Sequence, residues 1–264
     1  MTRHTFFAML LLAIGIPAHT NAPACDVRNK AFRHGERIIF HVNYTLAGIW
    51  VHAGNVSFST SLTQLNGKPV YHVVGDGSTL PSYDWIYRVR DRYETFIDTA
   101  TLLPVRFIRN VDEGGYKIHE NVNFYQDNRT AVTSKGAFTV PGCVQDVLSE
   151  VYLARNMNFD GMKPGEQIPF DLFLDNQVYH MYIRYVGREV VKTRYGKFRC
   201  IKFKPLLLKG SIFEGGEKMT VWVTDDANRL PVRIESPISV GSIKVDMMTY
   251  YNLRHPLTSL IDIR

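Results

Sequence analysis

The residue types that could carry a reaction are present, but not at the spacings that reactions require. A serine hydrolase needs Gly-x-Ser-x-Gly or Ser-x-x-Lys, which set the nucleophile on a tight turn or beside its base, and neither pattern occurs. Gly210-Ser-Ile-Phe-Glu-Gly215-Gly-Glu-Lys218 approaches a phosphate loop. Its Lys is displaced by two residues, however, no Ser or Thr follows directly, and the context is a β-hairpin. After residue 24 there are seven histidines, at 34, 41, 52, 72, 119, 180 and 255. His119-Glu120 lacks the second His of His-Glu-x-x-His, and no two histidines fall at i, i+2 or i, i+4, where one element would present two ligands. Asp112-Glu113 and Asp225-Asp226 fall in turns, where acids serve turn geometry for its own sake. No catalytic residue, metal site or cofactor is assigned, and a non-catalytic protein is expected.

The stretch best suited to binding is Tyr83-Asp-Trp-Ile-Tyr-Arg-Val-Arg-Asp-Arg-Tyr-Glu94. As a strand it would place Tyr83, Trp85, Tyr87, Val89 and Tyr93 on one face and Arg88, Arg90 and Arg92 on the other. The ordinary use of such a face is packing, with the basic side in water. The functional use is an aromatic wall lining a concavity, offering apolar bodies and polar tips to an amphipathic ligand. The candidate ligand-binding residues are therefore Tyr83, Trp85, Tyr87 and Tyr93, faced by Val147 and Val151 of a helix.

That helix is the one break in a succession of strands. After Pro141-Gly142, apolar residues at Val144, Val147, Leu148, Val151 and Tyr152 follow the i, i+3, i+4, i+7, i+8 pattern of one helix face. Gln145, Asp146, Ser149 and Glu150 take the other side, and Asp160-Gly161 and Lys163-Pro164-Gly165 end the pattern, so one helix of about four turns is expected at about 143–158. On either side the chain is rich in Val, Ile, Tyr, Phe and Thr punctuated by turns. Strands are expected at 37–46, 49–61, 70–74, 86–97, 104–110 and 116–125, then at 167–174, 178–186, 197–205, 217–224, 231–236 and 242–251. Asn66-Gly67 is the strongest hairpin signal, because a type I′ turn needs positive φ at both central residues; Gly75-Asp76-Gly77 reads as another separator.

Residues 1–24 have the pattern of a secretory signal peptide, with Arg3 and His4 ahead of an 11-residue apolar run and small residues before Cys25. The run is too short to cross a bilayer core, which takes about 20 residues, and no later segment spans. A lipobox at Cys25 matches only in part, so a cleaved leader is expected over a lipid anchor, with the protein in the periplasm or at the outer membrane. The charge of +6 comes from dispersed Lys and Arg, never in a run of four, which gives no reason to expect a nucleic-acid surface. Cys25, Cys143 and Cys200 allow one disulfide and one free thiol. A Cys25–Cys143 bridge would pin the N-terminal arm beside the helix, leaving Cys200 buried in a strand.

The two halves also match each other. Asp98-Thr-Ala-Thr-Leu-Leu-Pro-Val-Arg106 aligns without gaps on Asp225-Asp-Ala-Asn-Arg-Leu-Pro-Val-Arg233, with six of nine residues identical. At the same offset Gly114 meets Gly241 and Lys117 meets Lys244, while Gly35-Glu36 meets Gly165-Glu166 at a slightly different one. An internal duplication is expected, with pseudo-repeats at about 35–140 and 165–252 inside a single β-rich domain, 25–264.

Several of these motifs, taken in order, carry a family resemblance. They are Gly35-Glu36, Ala53-Gly54, Tyr87-x-Val-Arg-Asp-x-Tyr93, Gln145-Asp146-Val-Leu-Ser149, Gly196-Lys-Phe-Arg-Cys200, and Trp222-Val-Thr-Asp with Leu-Pro-Val-Arg-Ile-Glu235. Together they resemble the DUF3108 family of exported bacterial proteins over nearly the whole chain after residue 24. The strand–turn–Leu-Pro-Val-Arg piece alone is also similar to LolA-type periplasmic lipoprotein carriers. The resemblance implies export and a β-rich fold, and supplies no catalytic residues. The expected fold is mainly antiparallel β, a strongly curved sheet or two half-barrel-like repeats, with one principal helix. Two functions follow: binding or carrying a lipid-like or glycan envelope ligand, or docking to another envelope protein through sheet edges and a basic surface.

Overall fold

The structure, a computed structural model, describes residues 27–46, 49–208, 215–238 and 241–263. The signal-peptide reading, Cys25 and most of the rejected phosphate loop lie outside these. The fold is mainly β: one large antiparallel sheet, not closed into a barrel, with very little helix.

The first meander is β1 (Arg37–Leu46), β2 (Ile49–Leu65), β3 (Lys68–Thr79), β4 (Arg90–Asp98), β5 (Pro104–Glu113) and β6 (Tyr116–Tyr125). The short strands β7 (Thr130–Thr133) and β8 (Gly136–Thr139) extend it. The second meander is β9 (Gln167–Leu174), β10 (Gln177–Lys192), β11 (Gly196–Pro205), β12 (Thr220–Thr224), β13 (Pro231–Pro237) and β14 (Ser242–Tyr251). The strand β15 (Leu260–Ile263) pairs with the start of β11. Spatial order runs from β8 down to β1, then β14 down to β9, so the meanders join head to tail where β1 pairs with β14.

Turn chemistry sets the registers. Asn66 and Gly67 have φ of 52° and 77°, the left-handed pair expected between β2 and β3. Asp175-Asn176 and Gly114-Gly115 turn their hairpins with positive φ in the same way. The nine-residue matches fall on corresponding hairpins. Leu102 and Arg229 have φ of 57° and 49°, and each hairpin carries a bulge, between Phe96 and Ile97 in one and between Trp222 and Val223 in the other.

Three expectations need correction. Gly75-Asp76-Gly77 does not separate strands but runs inside β3. A Cβ at Gly75 would meet the Phe58 ring at 3.0 Å, so this is a glycine of close approach rather than a turn. The 86–97 strand begins only at Arg90. Pro81–Tyr83 forms a 3-10 turn, and the Asp84 carboxylate, bonded by Thr79 Oγ1 and by Arg90, ties the loop down (2.6 Å to each). The helix, α1, covers only Ser149–Ala154, not 143–158, and is the one α-helix among the described residues. Its lead-in is extended because Gln145 pairs with β9: its N–H donates to Asp171 (2.8 Å) and its carbonyl accepts from Phe173 (2.9 Å).

Candidate cavity between helix and sheet

Packing buries both of the expected faces of the segment around α1. Val144 and Leu148 are buried as predicted, but so are Gln145, Asp146, Ser149 and Glu150, which were expected on the polar side. The sheet curves around the helix, so the polar groups must find partners inside. Asp146 does: Oδ1 accepts from the Leu148 and Ser149 amides (2.8 Å each), and Oδ2 accepts from Thr95 Oγ1 of β4 (2.6 Å). Its amide in turn donates to the Ser149 hydroxyl oxygen (2.9 Å), a reciprocal cap that turns the chain into the helix. Burial outweighs these bonds and pushes the Asp146 carboxyl up to about 6.

Arg155 at the other end makes a two-pronged pair with Glu36 (2.6 and 2.9 Å), and both side chains are buried. It also donates to the Asn228 carbonyl and lies over the Phe32 and Tyr152 rings. Glu150 has no such solution. Neither carboxyl oxygen has a hydrogen-bond partner, and burial, reinforced by the charge of Asp146, drives its acidity well out of the usual carboxylate range toward the neutral form.

Two cavities flank this segment. The larger, about 340 Å³, lies between α1 and the sheet from β9 to β13. Alternate residues supply its wall, Phe170, Leu172 and Leu174 from β9, Met181 and Ile183 from β10, Val221 and Val223 from β12. The half-buried run Leu206-Leu207-Leu208 completes it after β11. Val147, Glu150, Val151, Ala154 and Arg155 form the helical side, and Arg155 is already committed to Glu36. The smaller, about 260 Å³, lies on the opposite flank against β2, β3 and β4. It is lined by Phe58, Gly75, Gly77, Asp91 and Tyr93 and shares Val147 and Val151 with the larger one. Burial drives the Tyr93 phenol up to about 12 and also raises the Asp91 carboxyl.

Of the six residues expected to form a binding face, the structure brings Tyr93, Val147 and Val151 to the cavities. Tyr83, Trp85 and Tyr87 are not there. Trp85 is 83% exposed, its indole N–H bonded to the Ser82 carbonyl, and Tyr87 rests on Gly114 of the β5–β6 turn. The cause is the 3-10 turn, which removes the strand alternation that would have pointed them inward. The strongest polar feature, Glu150, lines the cavity although the helical period marks it as solvent-facing. The β9 and β10 wall residues were legible as strands but not as cavity lining.

Cys143 has left-handed backbone (φ 65°) and is disulfide-bonded, while Cys200 is a buried free thiol driven up to about 12 by burial. The expected partner of Cys143, Cys25, lies outside the described residues. Among the described residues, no three His, Cys, Asp or Glu side chains are grouped to hold a metal ion. No described helix is long and apolar enough to cross a membrane.

The family described as "Protein of unknown function (DUF3108)" matches residues 40–248. No curated protein matches. Among solved structures, the chain is similar to a β-barrel-like protein of the domain of unknown function DUF1849 from Brucella abortus. The identity is 12%, the match covers 84% of this chain and 100% of that one, and the TM-score is 0.57, a likeness of fold alone. A protein from Bacteroides fragilis described as exported, with a YmcC-like fold, shares 14% identity over 86% of this chain and 100% of that one, with a TM-score of 0.36. A protein from Parabacteroides distasonis described as a lipoprotein shares 12% over 85% and 100%, with a TM-score of 0.38. The last two superpose too loosely to carry an argument.

Proposed function

The chain belongs to the DUF3108 family, whose function is unknown, and we propose from its cavity that it is a non-catalytic binder or carrier of an apolar or amphipathic molecule of the cell envelope. One observation carries this reading: a space of about 340 Å³, walled by aliphatic and aromatic side chains, lies between helix and sheet. Small-molecule sites of this kind start at about 300 Å³. A chain that folded only to dock would have little reason to leave such a volume unfilled, since each void forfeits packing energy. The docking alternative leaned on a basic face, and there the arginines are neutralised. Arg88 pairs with Asp112, Arg90 with Asp84, and Arg92 with Asp76 and Glu94. An envelope location is part of the same proposal and rests on the leader-like pattern of residues 1–24.

The test is to fill the cavity from the helix. Ala154→Trp should occupy the space with little change in thermal stability, while saturable binding of the apolar fluorophore N-phenyl-1-naphthylamine is lost. Binding that is absent from the unaltered protein, or undiminished in the variant, would overturn the reading.

A further inference from the structure

We propose that Glu150 is the polar anchor of the larger cavity and selects a single-chain amphipath ending in a primary amine; this rests on the carrier reading above. The cavity wall is apolar apart from Glu150 and Arg155. Arg155 is fully engaged, its guanidinium divided between both oxygens of Glu36 and the Asn228 carbonyl. Glu150, within the helix that forms one side of the cavity, is buried with both oxygens unpartnered. Asp146, one turn earlier, is satisfied by two amides and Thr95 and has no capacity directed to a ligand. A buried carboxyl without partners is costly unless something bonds it, and the protein supplies nothing.

The ligand's polar end must therefore supply what is missing. A carboxylate or phosphate would be stripped of water in a low-dielectric space with no free cation to pair with it, which is costly. A hydroxyl offers one donor. An ammonium offers three donors and, in place of the carboxyl proton, pairs with the carboxylate, so it satisfies both oxygens at once. Its alkyl chain then lies along Phe170, Leu172, Met181 and Ile183. Burial, which favours the neutral form of Glu150, fits the same picture: a cation that takes the place of the proton relieves the same desolvation.

The experiment compares octylamine, octanol and octanoate binding to the full chain by titration calorimetry near neutral pH. Octylamine should bind tightest, by about tenfold over octanol, with octanoate weakest, as expected for a hydrogen bond to a charged group. Glu150→Gln, which keeps the shape, should bring octylamine down to the octanol level and leave octanol unchanged. Glu150→Asp, which keeps the acid, should retain the amine preference and serves if the Gln variant folds poorly. Equal affinity for the three ligands, any other order, or a Gln variant that still prefers the amine would overturn the anchor and leave the carrier reading standing. Saturable binding of none of the three would overturn the carrier reading itself.

Discussion

At the scale of single residues, the interior is organised by charges that must be answered. Arg155 and Glu36 answer each other completely, both under 4% exposed. Arg155→Ala would leave Glu36 as an unpaired buried charge and should cost about 3–5 kcal/mol in a denaturant titration; a loss below about 1 kcal/mol would mean the pair is dispensable. The acids of the helix segment give a pH signature of definite sign. Asp146 holds its proton to about pH 6 in the fold, against 3.8 as its ordinary value. The folded chain therefore binds more protons than the unfolded chain in that window, and this group's contribution to stability falls as pH rises from about 4 through about 6. Glu150 is shifted in the same direction, by burial and by Asp146, and acts with the same sign. Glu150→Gln should accordingly gain stability over the parent at about pH 8, with the gain shrinking toward about pH 5. Thermal melts across that range check it, and a pH-independent difference would contradict it.

At the scale of elements, the sequence was legible where local chemistry decides and opaque where neighbours decide. The limits of β1, β6, β9 and β14 follow directly from alternation and turn residues. The turn at Asn66-Gly67 needs no tertiary context. The helix pattern at 143–158 was real in its apolar positions, since Val144 and Leu148 are core. Its length was not, because Gln145 is pulled into pairing with β9, a partner distant in sequence. Tyr83 to Tyr87 leave the strand pattern for a local reason: Pro81 opens a turn, and Asp84 with Thr79 and Arg90 closes it. Glu150 could not have been read as buried, since a helix wrapped by sheet on both flanks has no solvent side and its sequence period does not reveal this. The Gln145 contact also covers the free edge of β9. Gln145→Pro removes the N–H that Asp171 accepts, and an unpaired edge is a template for other chains. The variant should lose about 1–3 kcal/mol and show concentration-dependent light scattering; an unchanged, monomeric variant would show that the edge needs no cover.

At the scale of the whole molecule, two meanders share one sheet, and the nine-residue match in sequence falls on corresponding hairpins with a left-handed residue at the same position and a bulge in each. The order of the strands was not written in that match. Nothing local states that β1 should lie against β14, with Arg37 opposite Tyr251 and Thr45 opposite Ser242. That seam has a consequence in time. Most strands of the first meander find a partner in the strand that follows, so hairpins can close as the chain emerges. One edge of β1 waits for β14, about 200 residues further along the chain. Ile38, Phe40, Val245 and Met247, which share one core cluster, come together only then. Contacts this distant along a chain are slow to form, so completion of the seam should set the pace of folding. On the envelope location proposed above, the chain would cross a membrane before it folds, and the exposed edge of β1 would be the surface most in need of protection on the way.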